Sequence, residues 1–318
     1  MLQPNRLREK KSKPTCPSID RFMSEILNAV RPYAGVDAKY SEYTTAKAVI
    51  IPVPYDGTST WGKGADAGPE ALLAATENME LYDIETGTEV YREGIHVAPA
   101  ITEDSSPEAM VDAVRTAVSE VLNAKKLPVL LGGEHSVSIG ALQACAKLHP
   151  ELTVLHIDAH ADLRKSYQGS SCNHACAVHW ASQNCRLVQV GIRSMDISER
   201  AYIQKGHLFT GDHCYQHDDE VWQQEVLTAL GEANRPLYIT VDLDAFDPAF
   251  LPHTGTPEPG GLNWFQVTQV IRKAAEKFNV VGFDVVELAA HEHSKPSDFL
   301  AAKLVYKMLT YTLKPETV

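Results

Sequence analysis

Residues 153–162 read TVLHIDAHAD, a short apolar run followed at once by three alternating polar side chains. The apolar run predicts a buried strand over 153–157. Similar runs predict strands at 47–53, 127–131, 186–191, 236–241 and 279–283. Longer segments between them predict helices at 69–78, 107–125, 136–148, 219–232, 264–278 and 297–313. This alternation predicts an α/β fold in which helices cover both faces of a largely parallel sheet.

No repeat, low-complexity block or linker divides the chain, so we expect a single α/β domain over 46–318. Residues 1–45 are expected to form an N-terminal extension, with a loose basic tail over 1–16 and a helix over 18–31. The basic tail is not followed by an apolar segment, which argues against a signal peptide and against a membrane span.

The charge of the chain limits its partners. The 318 residues include 29 Lys and Arg against 41 Asp and Glu, a formal net charge of −12. Such a surface repels phosphate backbones and anionic lipid, so we expect no nucleic-acid or membrane partner and favour a small cation. The six cysteines form no paired framework, which indicates a reducing, cytoplasmic location.

Polar residues lie where four of the predicted strands end. His135 comes after the strand at 127–131, and Asp158 comes after the strand at 153–157. Asp242 follows the strand at 236–241, and Glu287 closes the segment that begins with the strand at 279–283. In open α/β sheets, ligands bind beyond the carboxyl ends of the strands. We therefore expect these four residues, distant in sequence, to meet at one edge of the sheet.

The acidic residues at these strand ends favour a bound cation. Asp158, His160 and Asp162 alternate along the chain, and alternate side chains of extended backbone project to the same face. Asp242 and Asp244 repeat the pattern. Buried carboxylates repel one another and lose hydration unless a cation lies between them. One such Asp would be interpreted as a turn former or helix cap, but two alternating patterns favour a metal site.

The candidate ligands are two imidazoles and four carboxylates, with no sulfur. They are His135, Asp158, His160, Asp162, Asp242 and Asp244. These donors suit Mn²⁺ better than structural zinc, although they also accept Ni²⁺ and Co²⁺. Six ligands are too many for one ion with an open position, and four negative charges balance two divalent ions. The sequence therefore predicts a dinuclear centre, which can hold a hydroxide nucleophile at neutral pH.

Four motifs carry a resemblance to a known family. GGEHSVS (132–138), DAHADLR (158–164), VDLDAFDP (241–248) and TGTPEPGGL (254–262) resemble the signatures of the ureohydrolases, the arginases and agmatinases. The resemblance extends from about Ile51 to the helix near Tyr311. It implies the family's arginase-like fold, a three-layer αβα sandwich, and two Mn²⁺ ions per chain. In that family pattern Asp158 and Asp242 would bridge the ions, His135 and Asp162 would complete one, and His160 and Asp244 would complete the other.

The resemblance also implies a reaction in which a metal-bridging hydroxide attacks the guanidinium carbon, and urea leaves together with an amine. Asp162 would hold the hydroxide, His174 would pass a proton to the leaving amine, and Glu287 would receive the guanidinium. A carboxylate suits this last role because it accepts two parallel hydrogen bonds from a planar cation. His174 has an alternative interpretation as an ordinary surface-loop histidine. Asp247 and Asp284 are expected to be a turn former and a strand-end cap.

The segment after the second motif indicates the substrate. It resembles agmatinases, whereas arginases place an Asn where Arg164 stands, so we predict hydrolysis of agmatine to putrescine and urea. Agmatine is a dication, and the negative net charge favours its approach. An Arg164 that faces the pocket would instead favour a carboxylate substrate such as 4-guanidinobutyrate; arginine and guanidine are further alternatives. We favour an Arg164 tied into a salt bridge away from the substrate.

Two other classes remain open. A hydrolase with one zinc ion, similar to the histone deacetylases, would not need all six ligands. A non-catalytic binding homologue would be expected to have lost some of them. The resemblance further implies a homo-oligomer, either a trimer or a hexamer. His291 and His293 are expected to be solvated loop residues or, at most, to line the rim of the pocket.

Overall fold

The computed structural model describes residues 31–318, which contain one eight-stranded sheet. The strands are β1 Ala48–Val53, β2 Ile95–Val97, β3 Leu127–Gly132, β4 Thr153–Ile157, β5 Arg186–Ile192, β6 Leu208–Thr210, β7 Pro236–Asp242 and β8 Asn279–Val286. Their order in the sheet is β2-β1-β3-β8-β7-β4-β5-β6, and every neighbouring pair is parallel. The predicted parallel sheet is therefore confirmed.

Helices cover both faces of this sheet. They are α1 Gly68–Thr76, α2 Pro107–Asn123, α3 Val137–Leu148, α4 His179–Asn184, α5 Gly211–Gln216, α6 Asp219–Leu230, α7 Trp264–Lys277 and α8 Pro296–Leu313. The buried side chains of α1, α6, α7 and α8 belong to the core on one face, and those of α2, α3 and α4 belong to the core on the other. The predicted three-layer αβα sandwich is confirmed.

The apolar strands follow from burial on both faces. In β1, Ala48 and Ile50 pack into one core, while Val49 and Ile51 pack into the other. A strand covered on both sides needs apolar residues at consecutive positions, so its sequence is a continuous run. Full burial of an Ile contributes roughly 1.5–3 kcal/mol, so these side chains stabilise the packing of helices on both faces of the sheet.

Capping residues set where the longer helices begin. The Ser106 hydroxyl accepts a hydrogen bond from the backbone N–H of Ala109, and Pro107 occupies the first turn of α2. At the start of α7, Asn263 and Gln266 exchange side-chain to backbone hydrogen bonds and form a capping box. Both devices satisfy backbone donors that have no partner within the helix, so these helix starts are readable from the sequence.

The structure also contains short elements that the sequence pattern did not predict. Strands β2 and β6 have three residues each and lie at the two edges of the sheet. Helices α4 and α5 have six residues each. Runs this short show no measurable period, so sequence reasoning has no signal for them. The basic tail over 1–16 lies outside the described residues, as does nearly all of the predicted helix at 18–31, which reaches them only at Arg31.

The beginning of the described chain is attached to the main core. Tyr33 is 1% exposed, and its ring stacks on that of Tyr306 in α8 with 6.4 Å between centroids. The last part of the predicted N-terminal extension therefore packs against the sandwich. Across residues 31–318, none of the helices combines the length and the apolar character that crossing a bilayer requires.

Candidate metal centre

The four predicted strand ends lie side by side. Strands β3, β8, β7 and β4 are consecutive neighbours in the middle of the sheet. His135 follows β3, Glu287 follows β8, Asp242 ends β7, and Asp158 follows β4. All of these strands are parallel, so the four residues lie at the same edge of the sheet. The structure thus brings together segments that are up to 152 residues apart, as the backbone N–H of His135 and the Glu287 carboxylate show.

The side chains converge for a different reason than the extended backbone that we expected. Strand β4 ends at Ile157, and Asp162 has a left-handed φ of 50°. Asp244 lies in a 3-10 turn, Leu243–Ala245, that begins directly after Asp242. Extended backbone does not continue through Asp162 or Asp244, so alternation along a strand does not by itself explain why these side chains meet.

Backbone amides at the strand ends hold the carboxylates instead. The N–H of His160 donates to Asp158 Oδ1 at 2.6 Å, and the N–H of Asp244 donates to Asp242 Oδ1 at 2.8 Å. The N–H of Ala159 donates to Asp244 Oδ1 at 3.1 Å, which links the end of β4 to the turn after β7. Asp242 is thus the cap that one interpretation of the sequence proposed, and its other oxygen faces the cluster.

His135 lies at the centre of three carboxylates. Its Nδ1 is 3.1 Å from Asp158 Oδ2, 3.2 Å from Asp162 Oδ2 and 3.3 Å from Asp242 Oδ2. The imidazole is fully buried. Despite these short distances, Nδ1 makes no hydrogen bond of good geometry within residues 31–318.

The proton of His135 is held on its other nitrogen. Nε2 lies 2.9 Å from the Thr240 hydroxyl, and that hydroxyl donates its hydrogen to Asp284 Oδ1. The Thr240 oxygen is then free only to accept, so Nε2 is the donor. The three carboxylate oxygens around Nδ1 therefore favour a cation bound to that nitrogen, either a proton or a metal ion.

This geometry fits a divalent metal ion. Burial acts to lower the pKa of His135, but Asp158, Asp162 and Asp242 outweigh it and raise that pKa well above its usual range. The position therefore attracts positive charge. An imidazole nitrogen together with carboxylate oxygens is the donor set that binds Mn²⁺, Ni²⁺ and Co²⁺.

A second group of ligand atoms shares Asp158 with the first. His160 Nδ1 lies 2.9 Å from Asp244 Oδ2 and 3.8 Å from Asp158 Oδ1. Burial lowers the pKa of His160, but Asp244 outweighs it and raises that pKa to about 11. Within residues 31–318, two groups have ligand atoms close enough to hold an ion, namely His135, His156 and Asp158, and Asp158, His160 and Asp244. Asp158 belongs to both.

Burial makes it costly for Asp242 and Asp244 to ionise unless positive charge lies nearby. Burial, and then the charges of Asp244 and Asp158, raises the pKa of Asp242 well above its usual range. Burial and the Asp158 charge likewise raise the pKa of Asp244. Cations in the cluster remove this penalty, because they favour the ionised form of each carboxyl group.

A cavity of about 300 Å³ opens beside the cluster. Its lining includes three of the predicted metal ligands, His160, Asp162 and Asp242. It also includes His174 and Glu287, the two predicted catalytic residues that are not metal ligands, so both face the same cavity. This placement favours a role at the site for His174 over the alternative of an ordinary surface histidine.

Thr58 holds His174 in place. The Thr58 hydroxyl donates to Glu134 Oε1 at 2.9 Å, accepts the backbone N–H of His174 at 3.0 Å, and lies 3.1 Å from His174 Nδ1. Burial lowers the pKa of His174 and raises that of Glu134 to about 7. Sequence reasoning missed Thr58 and Glu134 because their importance comes from contacts with residues far away in the chain.

Glu287 is held by strained backbone and by a backbone donor. Its φ is 66°, an uncommon conformation for a residue other than glycine, and such strain is concentrated at functional sites. Its Oε1 accepts the N–H of His135 at 2.8 Å. Burial and the charge of Glu134 raise the pKa of Glu287 well above its usual range, so a cationic partner would stabilise its ionised form.

Arg164 forms the expected ion pair but also lines the cavity. Its Nη2 lies 3.7 Å from Asp196 Oδ2, and its guanidinium lies 4.8 Å from the centre of the Tyr167 ring. Arg164 and Asp196 therefore place opposite charges next to each other in the cavity wall. The expectation that Arg164 points away from the substrate is only partly met.

Other residues singled out in the sequence have structural roles or lie on the surface. Asp247 is the expected turn former, since its carboxylate accepts the N–H groups of Ala249, Gly260 and Gly261. The strand-end cap expected for Asp284 is wrong. It lies within β8, fully buried, and accepts the hydroxyls of Tyr238 and Thr240. His291 and His293 are exposed and are not among the cavity's lining residues.

Comparison with known proteins places this site in a family. The profile of the Arginase family matches residues 46–310. An N(1)-aminopropylagmatine ureohydrolase of Thermus thermophilus is 37% identical over 272 residues, covering 85% of this chain and 90% of that protein. An agmatinase of Pyrococcus horikoshii is 32% identical over 281 residues, covering 86% and 93% of the two chains. The crystal structure of agmatine ureohydrolase of Thermoplasma volcanium superposes with a TM-score of 0.79 at 30% identity, covering 92% and 97%.

The fold and the cluster of Asp and His side chains define a three-layer α/β protein with sites suited to metal ions. More particularly, the chain belongs to the arginase family. The resemblance to ureohydrolases and the arginase-like fold are thus confirmed, as is the predicted enzyme class, a hydrolase that acts on the C–N bond of a guanidino compound.

Proposed function

We propose that the chain is a dinuclear ureohydrolase that holds two Mn²⁺ ions and hydrolyses agmatine to putrescine and urea. The observation that carries the proposal is the position of His135 Nδ1, which lies within 3.3 Å of three carboxylate oxygens. The two potential ion sites share Asp158, which supports a bridged pair of ions over separate ones. When bound, the ions would supply a hydroxide nucleophile at neutral pH.

The proposed ligands are the six residues named from the sequence. His135 and Asp162 would complete one ion, His160 and Asp244 the other, and Asp158 and Asp242 would bridge them. The backbone amides that bind Asp158, Asp242 and Asp244 support this assignment, because they orient the carboxylates before any ion arrives.

The remaining roles belong to three side chains in the cavity wall. Glu287 would orient the guanidinium, since its ionised form needs a cation and a carboxylate binds a planar guanidinium in two places. Asp162 would accept the proton of the nucleophile. His174, held by Thr58, would return a proton to the leaving amine.

The distal end of the substrate would meet Arg164 and Asp196. Because Asp196 lies beside Arg164, the wall is not uniformly positive, and an ammonium group is tolerated there. A second candidate substrate is N(1)-aminopropylagmatine, which is favoured by the name of the Thermus thermophilus relative. It presents the same guanidinium to the centre and differs only in its amine tail.

The test is urea release from agmatine, N(1)-aminopropylagmatine, 4-guanidinobutyrate and arginine by the Mn²⁺-loaded protein. We expect the agmatine-type cations to have the highest kcat/KM. Faster turnover of 4-guanidinobutyrate would assign Arg164 to recognition of the substrate carboxylate. A metal content of one ion per chain would contradict the dinuclear centre and support the class of hydrolases with a single zinc ion.

We also propose that the chain forms a homo-oligomer, a trimer or a hexamer, in the cytoplasm. The five cysteines in the described part of the chain are free thiols, which supports a reducing compartment. The division into an extension over 1–45 and a catalytic domain over 46–318 is supported by the family match, which begins at residue 46. Sedimentation velocity would determine the number of chains in the oligomer.

A further inference from the structure

His156 lies beside the centre but is not one of the six proposed ligands. It is fully buried in β4, and its ring centroid is 5.3 Å from that of His135. Its Nε2 lies 2.6 Å from Asp158 Oδ2. By position alone His156 is able to act as a ligand, because it forms one of the two potential ion sites with His135 and Asp158.

The contacts of Gln189 show which nitrogen of His156 carries the proton. The side-chain nitrogen of Gln189 lies 2.8 Å from the Ala161 carbonyl oxygen and 3.0 Å from His156 Nδ1. A backbone carbonyl only accepts, so the Gln189 atom that faces it is the amide NH₂ group. The second hydrogen of this group is directed to His156 Nδ1, which must accept it. Nδ1 therefore carries no proton, and the proton lies on Nε2.

The protonated Nε2 cannot bind a metal and instead donates to Asp158 Oδ2. The other oxygen of Asp158 accepts the N–H of His160 at 2.6 Å. Each carboxylate oxygen thus has one fixed hydrogen bond and keeps one lone pair for an ion. Both oxygens of Asp158 are oriented by the protein alone.

We propose that Gln189 and His156 form a positioning chain that holds Asp158 in its bridging orientation, and that His156 is not itself a metal ligand. This series of hydrogen bonds begins at the Ala161 carbonyl and runs through Gln189 and His156 to Asp158, the ligand that both potential ion sites share. This inference rests on the proposed dinuclear centre, and it assigns a role to a buried histidine that the six-ligand set leaves unused.

The test compares Mn²⁺ binding to the apoproteins of His156→Leu and His156→Gln by calorimetry. Leu removes the donor, whereas the amide of Gln reaches the region of Nε2 and still donates to Asp158. Loss of such a supporting hydrogen bond weakens metal binding by roughly 10- to 100-fold, so we expect this loss for Leu and recovery for Gln. Two ions should still bind at saturation. His207→Leu is the matched control. The His207 ring contacts the Leu187 carbonyl near the start of β5, at the sheet edge opposite the metal centre, so this variant should bind Mn²⁺ with wild-type affinity.

Wild-type affinity in His156→Leu would overturn the proposal. Loss of one complete ion in both His156 variants would also overturn it, because His156 would then be a ligand. A wild-type protein that binds no Mn²⁺ would instead remove the proposed function. Nitrogen-15 NMR of the histidines in the wild-type apoprotein gives a test that needs no variant. We expect His156 to carry a proton on Nε2 and none on Nδ1. The opposite tautomer would refute the proposed positioning role of Gln189 and His156.

Discussion

Asp158→Asn should abolish binding of both ions, whereas Asp244→Asn should abolish binding of one. Asp158 supplies an oxygen to both potential ion sites, and Asp244 supplies one only to the site with His160. Neither change alters the side-chain volume appreciably. Burial and the charge of Asp158 raise the pKa of Asp244, so removing the Asp244 charge should not destabilise the apoprotein. Burial opposes the ionisation of Asp158, but His156 and His135 outweigh it and lower that pKa, so Asp158→Asn should be less stable than the wild-type apoprotein, and each metal-induced shift is measured against the apoprotein of the same variant.

The size of the effect follows from the number of sites. An ion present at about 100 times its dissociation constant stabilises the folded state by about 2.7 kcal/mol, so two ions contribute about 5 kcal/mol. For a large single domain, each kcal/mol raises the melting temperature by about 2 °C or slightly more. We therefore expect Mn²⁺ to raise the melting temperature of the wild type by roughly 10 °C, that of Asp244→Asn by roughly half as much, and that of Asp158→Asn hardly at all.

The assay is thermal unfolding of each apoprotein with and without Mn²⁺, together with elemental analysis of the loaded proteins. The amplitude of the metal-induced shift gives the binding energy, and the elemental analysis gives the number of ions. An Asp158→Asn protein that keeps two ions, or that shifts as much as Asp244→Asn, would refute the shared-ligand model.

Three further changes test other parts of the molecule. Glu287→Gln should lower kcat/KM by roughly 10- to 100-fold, the value of a hydrogen bond to a charged group, while elemental analysis still finds both ions. Thr58→Val should lower kcat roughly 10-fold or more by releasing His174, and Thr58→Ser should restore it; equal rates in steady-state kinetics would exclude this role. Burial opposes the ionisation of Glu85, but hydrogen bonds from Lys307, Tyr311 and Arg272 lower its pKa from 4.5 to about 2. Its stabilisation is therefore present above pH 4.5 and is lost as the pH falls towards 2. Glu85→Gln should melt a few degrees, about 2–4 °C, below the wild type at pH 7, and a gap that does not narrow in acid would contradict this linkage.

The long elements of the fold could be predicted because their signal is local. Strand β1 and helix α2 are marked by an apolar run and by Ser106-Pro107, and both lie within a residue or two of the predicted bounds at one or both ends. The edge strands β2 and β6 could not be predicted, because three residues show no period and are stabilised mainly by pairing with β1 and β5. Asp284 shows the same limit. Its place inside β8 depends on hydroxyl donors from β7, a different strand.

The sequence by itself determined which chemical groups stand at the ends of β3, β4, β7 and β8, because strand ends and polar clusters are both visible in one dimension. Only the tertiary structure decided the proton positions and the orientation of those groups. His135 turns Nδ1 towards the carboxylates because Thr240, 105 residues away, accepts a hydrogen bond from its Nε2. His156 is a donor because Gln189, 33 residues away, occupies its other nitrogen. A hydrogen bond depends on distance and direction in space, and residue spacing along the chain specifies neither.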